Sequence, residues 1–268
     1  MEKHLIAVDL DGTLLTDDKK ISARNKLALQ KAREQGHEVV IATGRPYRAS
    51  SMYYEELGLT TPIVNFNGAF VHFPGNDDWG VYHEPLDLST VREIIEVSEK
   101  YQIHNILAEV IDDVYFHFHD EKLLDIFGFG DPKMETGDLR QVLKKDPTCI
   151  LIHASESEVA KIRKYLTEVH AEVIDHRRWA APWHVIEIVR TGMSKAVGLK
   201  RISDYYNIPK NNIIAFGDED NDYEMIEFAG MGVAMGNAID GLKGKAKETT
   251  LSNQEDGIAV FLEKYLKL

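Results

Sequence analysis

Cysteine, basic charge and long apolar runs are all scarce in this chain of 268 residues. Cys149 stands alone, which excludes an internal disulfide and any thiolate zinc cluster within one chain. It falls in the run Cys149-Ile150-Leu151-Ile152, the setting of a buried small hydrophobe rather than a nucleophile. Lys and Arg number 31 against 44 Asp and Glu, a net charge of -13. With no basic stripe to offset that balance, the chain is a poor match to nucleic acid, whose phosphates are gripped by Lys and Arg. No apolar stretch nears the ~18 to 20 residues that cross a bilayer, and Glu2, Lys3, His4 and Asp9 stand where a signal peptide would be apolar. The expectation is a cytoplasmic protein without a membrane or nucleic-acid partner. A small phosphorylated substrate would meet the same repulsive field, so a site handling one needs a local cation, most simply a metal ion.

What is present is an alternation of strands and helices. Leu5 to Val8 reads as a buried strand ending at Asp9, and Gly12 punctuates the turn after it. Ser22 is placed to cap a helix running to Gln35, which Gly36 stops. Val39 to Ala42 is a second strand, closed by Thr43-Gly44-Arg45-Pro46, and Pro46 suits the start of a helix towards Leu57. Ile63 to Phe66 leads into the hairpin signal Asn67-Gly68. Downstream the rhythm resumes with a strand at Val185 to Val189, a helix at Ser194 to Tyr206, and a strand from Ile213 to Phe216. A helix at Asn221 to Ala229, a strand at Gly232 to Ala234 and a terminal helix at Gln254 to Leu266 follow. Both ends of the chain therefore predict one doubly wound parallel α/β sheet, residues 1–83 and 186–268. Residues 84–185 predict an inserted α+β domain: a helix at Leu88 to Tyr101, strands Ile106 to Ile111 and Val114 to Phe118 turning at Asp112-Asp113, and further elements from Thr148 to Ile174.

In such a sheet Asp9, Thr43 and Asp218 each fall just past the carboxyl end of a strand, where open α/β sheets place their ligand crevice. Asp9, Asp11, Asp218 and Asp222 would bring up to four carboxylates into one small volume, which demands a counter-ion. Hard oxygen ligands suit Mg²⁺, which keeps waters and substrate phosphate oxygens in its shell. Asp9 could then attack phosphorus to give an aspartyl-phosphate that water hydrolyses, and Asp11 could serve as acid and then base. Charge spread over the transferring phosphoryl group calls for Lys195 and Thr43 as well as the ion. Gly12 and Gly44 would let backbone N–H groups approach.

The run Asp9-Leu10-Asp11-Gly12-Thr13-Leu14, with Thr43-Gly44-Arg45, Ser194-Lys195 and Gly217-Asp218-Glu219-Asp220-Asn221-Asp222, resembles the haloacid dehalogenase superfamily. It closely resembles that superfamily's Cof-type phosphatases of subfamily IIB, which carry a C2B-type α/β cap on a Rossmann-like core. Asn67-Gly68-Ala69 and the tail from Ser252 to Gly257 look like that subgroup too. The resemblance implies that Asp9 is nucleophile and Mg²⁺ ligand, that Asp11 is the acid/base and ligates through its backbone carbonyl, and that Asp218 completes the protein ligand set. It implies that the Leu10 backbone, Thr43, Gly44, Lys195 and Asn221 hold the phosphate, with Asp222 in a supporting place. Ala196 departs from the glycine frequent after the lysine in relatives. Sugar phosphates or small phosphorylated metabolites and cofactors are the implied substrates. A phosphomutase of the same superfamily, or a regulator that binds a phosphometabolite without turnover, are the alternatives.

Other patterns carry less. The acidic run from Asp218 has Tyr223 and Ala229 where a calcium loop needs Gly and Glu, and Met235 occupies the third glycine position of a dinucleotide loop. His117 and His119 share a strand face without a third metal ligand; a cap surface or substrate contact is the expectation there. Arg177, Arg178, Trp179 and Trp183 either line the inner face of the cap or form a plain loop. Arg45 either reaches the substrate or supports its helix start.

Overall fold

The structure is a computed structural model and describes residues 2–178 and 184–268. The chain divides into two compact units, one of Met1–Arg45, Ser50–Tyr82 and Ser194–Leu268, the other of Pro46–Ala49 and His83–Met193. Among the described residues no helix is long and apolar enough to cross a membrane.

The first unit is built on a five-stranded parallel sheet. Its strands lie in the order Glu248–Thr249, Met231–Ala234, Ile213–Gly217, Leu5–Val8, Glu38–Ile41. Leu5–Val8 is buried along its whole length, as an apolar strand flanked by parallel partners must be. It pairs residue for residue with Ile213 to Phe216 on one side and Glu38 to Ile41 on the other, so three strands end level with one another. An Ala42–Val64 bridge adds the hairpin of Ile63–Asn65 and Phe70–His72. Helix Ala23–Glu34 begins where Ser22 Oγ accepts from Asn25 N–H, 3.1 Å away. Helix Lys195–Tyr206 lies close against the hairpin, since a Cβ on Gly198 would come within 2.6 Å of Val64 Cγ2. That close approach brings the start of the helix, and Lys195 with it, to the strand ends.

The second unit contains a six-stranded sheet ordered Ile174–Arg178, Val185–Arg190, Cys149–Ala154, Ile103–Val110, Asp113–Phe116, Met134–Thr136. Its helices Leu88–Ser98 and Glu156–His170 pack on one face, over a core that includes Val91, Ile95, Ile106, Ile150, Ile162 and Ile188. Val185–Arg190 is an antiparallel member of this sheet, pairing with Cys149–Ala154. Its position before a helix had pointed to the parallel sheet instead. A five-residue apolar strand fits either sheet, and the buried Glu187 in its middle was the sign of a different surrounding. The helix expected from Pro46 to Leu57 is also broken, into a 3₁₀ turn Tyr47–Ala49 and a helix Ser51–Glu56. The break follows from Arg48, whose guanidinium pairs with Glu109 at 2.7 Å and whose N–H donates to Asp112 at 3.0 Å within the second unit.

Candidate active site

Four loops of the first unit meet beyond the level strand ends. Asp9 follows Leu5–Val8, Thr43 follows Glu38–Ile41, Asp218 follows Ile213–Gly217, and Lys195 opens its helix. Asp9, Asp218 and Asp222 each place a carboxylate oxygen within 4.8 Å of the other two, and all three residues are buried. Lys195 Nζ donates to Asp9 Oδ1 at 2.6 Å and to Asp222 Oδ1 at 2.7 Å. Burial pushes the Asp9 carboxyl well up from its ordinary value, and Asp222 and Asp218 push the same way against the opposing pull of Lys195. Asp218 is raised to about 7, first by burial and then by Asp222, although a 2.8 Å hydrogen bond from Thr13 Oγ1 opposes the rise. Burial alone would lower the Lys195 ammonium, but Asp222 and Asp9 reverse the sign and hold it high. One lysine therefore faces three buried carboxylates, a deficit of positive charge that suits a divalent cation. The donors are all oxygen, which suits Mg²⁺ better than a softer metal.

Asp11 is a correction to the expected cluster of four. Its carboxylate is not among the converging three but is clamped at the side, by Arg45 Nε at 2.6 Å, Arg45 Nη2 at 2.7 Å and Lys19 Nζ at 2.7 Å. Burial would raise this carboxyl, yet the hydrogen bonds and charge of Arg45, then Lys19, outweigh it and hold the group at about 2. Arg45 also lies over the Tyr53 ring, 5.5 Å from its centroid.

Asp222 is employed on both sides. Its Oδ1 accepts from Lys195, and its Oδ2 accepts from the backbone N–H groups of Asp218 at 2.9 Å and Glu219 at 3.2 Å. It thereby fastens the loop that carries Asp218. Thr43 N–H donates to Val64 O at 2.9 Å and its Oγ1 accepts from Arg45 N–H at 3.1 Å. Leu10 is fully buried, with its carbonyl accepting from Leu15 N–H at 2.9 Å. Gly44 faces the Asn67 amide, which a Cβ would approach to 3.2 Å, and Asn67 Oδ1 accepts from Asn221 Nδ2 at 3.0 Å.

The sequence marks Asn67 only as half of a turn and as a feature shared with the subgroup. Its backbone is left-handed, φ 52°, which favours asparagine and aims the amide between two loops. Thr13 was visible only as a member of the first motif, and Lys19 carried no signal at all. His117 departs from its expected surface place. It is buried, accepts from Leu139 N–H on Nδ1 at 3.2 Å and meets Glu99 through Nε2 at 3.1 Å. The side chains of Arg177 and Arg178, and Trp179 and Trp183 altogether, lie outside the described residues.

Residues 6–262 match the family described as haloacid dehalogenase-like hydrolase. The chain belongs to the haloacid dehalogenase-like hydrolases. Within that family it is a phosphatase. It is 62% identical, over 99% of its length and 98% of the relative's, to the 5-amino-6-(5-phospho-D-ribitylamino)uracil phosphatase YitU of Bacillus subtilis. A haloacid dehalogenase-like hydrolase of Bacteroides thetaiotaomicron superposes with a TM-score of 0.84 at 28% identity, over 98% of this chain and 99% of that one. In fold alone the likeness extends to a subclass IIB sugar phosphatase of the superfamily, with a TM-score of 0.83 at 22% identity over 99% and 100% of the two chains.

Proposed function

We propose that this phosphatase hydrolyses small phosphomonoesters through an aspartyl-phosphate on Asp9, with Mg²⁺ as its metal, and that its substrate is a phosphorylated ribitylamino-pyrimidine. The observation that carries the chemistry is Asp9 itself. It is a buried carboxylate at a strand end, hydrogen-bonded on Oδ1 by the only lysine in contact with it among the described residues, and beside two further acids. The substrate class rests on the Bacillus subtilis relative, whose printed substrate is 5-amino-6-(5-phospho-D-ribitylamino)uracil.

Asp9, Asp218 and the backbone carbonyl of Asp11 are the groups assigned to hold Mg²⁺, which when bound would neutralise the acids and polarise phosphoryl oxygens. Lys195 orients Asp9 and neutralises charge on the transferring group. The N–H groups of Leu10 and Gly44, the Thr43 hydroxyl and the Asn221 amide are assigned to the phosphate. Asp9 attacks phosphorus and the ester oxygen leaves with a proton from Asp11, which afterwards takes one from the attacking water. Asp222 supports by fixing Lys195 and the Asp218 loop. Arg45 positions Asp11, and for Asp11 to carry a proton the clamp of Arg45 and Lys19 must loosen when substrate arrives. Every group named belongs to the first unit, so residues 84–185, expected as a cap, are assigned to substrate choice rather than to chemistry. The lone buried cysteine fits a cytoplasmic setting.

The test is phosphate release from 5-amino-6-(5-phospho-D-ribitylamino)uracil beside a panel of sugar phosphates, with Mg²⁺ present. Release of inorganic phosphate, preferential for the pyrimidine and abolished by Asp9→Asn in a folded chain, is expected. Turnover by that variant would remove the nucleophile assignment. Isomerised sugar phosphate without release would favour the mutase alternative, and a stronger preference for another ester would overturn the substrate class alone.

A further inference from the structure

A set of imidazoles in the second unit has no part in the chemistry above. His153 lies near the end of strand Cys149–Ala154, opposite Asn105 on one neighbour and Val185 on the other. The register with Ile103–Val110 slips between Ile103 and Asn105, so His104 is the extra residue of a β-bulge, a feature that re-aims side chains. The outcome is a His104–His153 pair with ring centroids 4.9 Å apart and planes inclined at 55°. On the opposite flank His184 directly precedes Val185, its carbonyl accepts from Ala154 N–H at 3.4 Å, and its φ is 42°. His184 and Asp120 both act electrostatically on the His153 ring. Asp120 is brought there by Asn105, which donates from Nδ2 to Phe118 O at 2.8 Å and accepts on Oδ1 from Phe118 N–H at 3.0 Å. Among the described residues His153 Nδ1 is buried with no hydrogen-bond partner, and buried polar atoms of folded proteins are seldom left so without a reason.

We propose that His104, His153 and His184, with Asp120 as a fourth donor, form a binding site for a divalent transition-metal ion of the zinc class. Three imidazoles and one carboxylate make a four-coordinate donor set suited to zinc, cobalt or nickel and unlike the all-oxygen acids of the first unit. Asp120 would ligate through Oδ2, because its Oδ1 already accepts from the N–H groups of Lys122 and Leu123. Among the described residues only the acidic trio already has its ligand atoms within 4.8 Å of one another. The imidazole site closes by rotation of exposed His104 and half-buried His184 onto the ion. Burial, then the neighbouring His104, keeps the His153 ring easier to deprotonate than usual, and a metal ligand must be neutral imidazole.

The experiment titrates the full chain with Co²⁺ and, separately, Zn²⁺ in millimolar Mg²⁺, which occupies the acidic cluster. One equivalent of Co²⁺ with the visible absorption of a four-coordinate, nitrogen-ligated ion is expected. His104→Ala and His153→Asn should each weaken binding by about tenfold or more, the scale of losing even an outer-shell partner. His104 is exposed, so its variant reports on the site even if His153→Asn fails to fold. Absence of the cobalt spectrum in the parent chain, or unchanged affinity in His104→Ala, overturns the proposal. Loss of the signal in Asp218→Asn with retention in His104→Ala assigns the ion to the acidic cluster and overturns it equally.

Discussion

Lys195 Nζ lies 2.6 Å from Asp9 Oδ1, and the lysine is wholly shielded from solvent. Its second hydrogen bond, to Asp222, fixes the direction of the first. Replacing it by methionine keeps the bulk and removes the one ammonium that, among the described residues, contacts the acidic cluster. Turnover is expected to fall by about 10² to 10³, the loss that follows removal of one preorganised donor to a developing charge. A Lys195→Met chain that folds and keeps its kcat would show that the ammonium has no part in phosphoryl transfer.

Gly12 lies hard against the Asp218 carboxylate. Its φ is +75°, and a Cβ there would collide with the Asp218 carboxylate. Gly12→Ala should therefore lose both activity and Mg²⁺ affinity, while Gly36→Ala, also at positive φ but with open space around it, should cost stability alone. Metal titration of the two variants followed by assay separates strain from displacement of Asp218.

The excess of buried acid predicts a direct link between metal and stability. Binding to the folded chain alone adds RT ln(1 + [L]/Kd), about 2.7 kcal/mol at a hundredfold excess over Kd. Differential scanning calorimetry with and without Mg²⁺ should show a rise in Tm that Asp218→Asn largely abolishes. Chelation should remove phosphatase activity, and addition of Mg²⁺ should restore it.

Arg48 and Glu109 form an ion pair at 2.7 Å with side chains only 5% and 4% exposed. Burial raises the Glu109 carboxyl from 4.5 to about 7, against the pull of Arg48 and with a push from Glu187 and Asp112. Between those two values the folded chain holds a proton that the unfolded chain has released. Stability therefore falls as pH rises from about 4.5 to 7 through this group, and is level above that. The effect is on the order of 3 kcal/mol at most, at about 1.4 kcal/mol per pH unit. Urea unfolding across that range should show a difference in slope between the parent chain and Glu109→Gln. Arg48→Met, which leaves the carboxylate buried and unpaired, should destabilise by about 3 to 5 kcal/mol at pH 8.

Much of the site was legible because strand ends leave a local mark. Leu5 to Val8 stops at Asp9 with Gly12 three residues on, and Ile213 to Phe216 stops at Gly217-Asp218, so the sequence alone locates two acids at strand ends. Lys195 was located by its motif and not by its surroundings, since a lysine at a helix start is ordinarily a surface charge. The positions that escaped depend on contacts between distant segments. Lys19 reaches Asp11 from a loop with no pattern of its own, and the sidestep of Asp11 into the Arg45 clamp is decided by a guanidinium 34 residues away. Val185–Arg190 escaped for a related reason, because an apolar strand does not announce which sheet will accept it.

The Asn67 amide sits against Gly44, and its oxygen accepts from Asn221, so one side chain ties the loop after the second strand to the loop carrying Asp218. Asn67→Ala is expected to raise KM more than it lowers kcat, since it frees a group assigned to hold phosphate without touching Asp9. Steady-state kinetics on the same ester measure the split. A brace of this kind couples the two loops assigned to hold phosphate, so the enzyme is expected to discriminate poorly between phosphate esters by deforming its own floor. Preference for one alcohol over another has to be written elsewhere in the chain, where residues can change without loosening the grip on phosphorus.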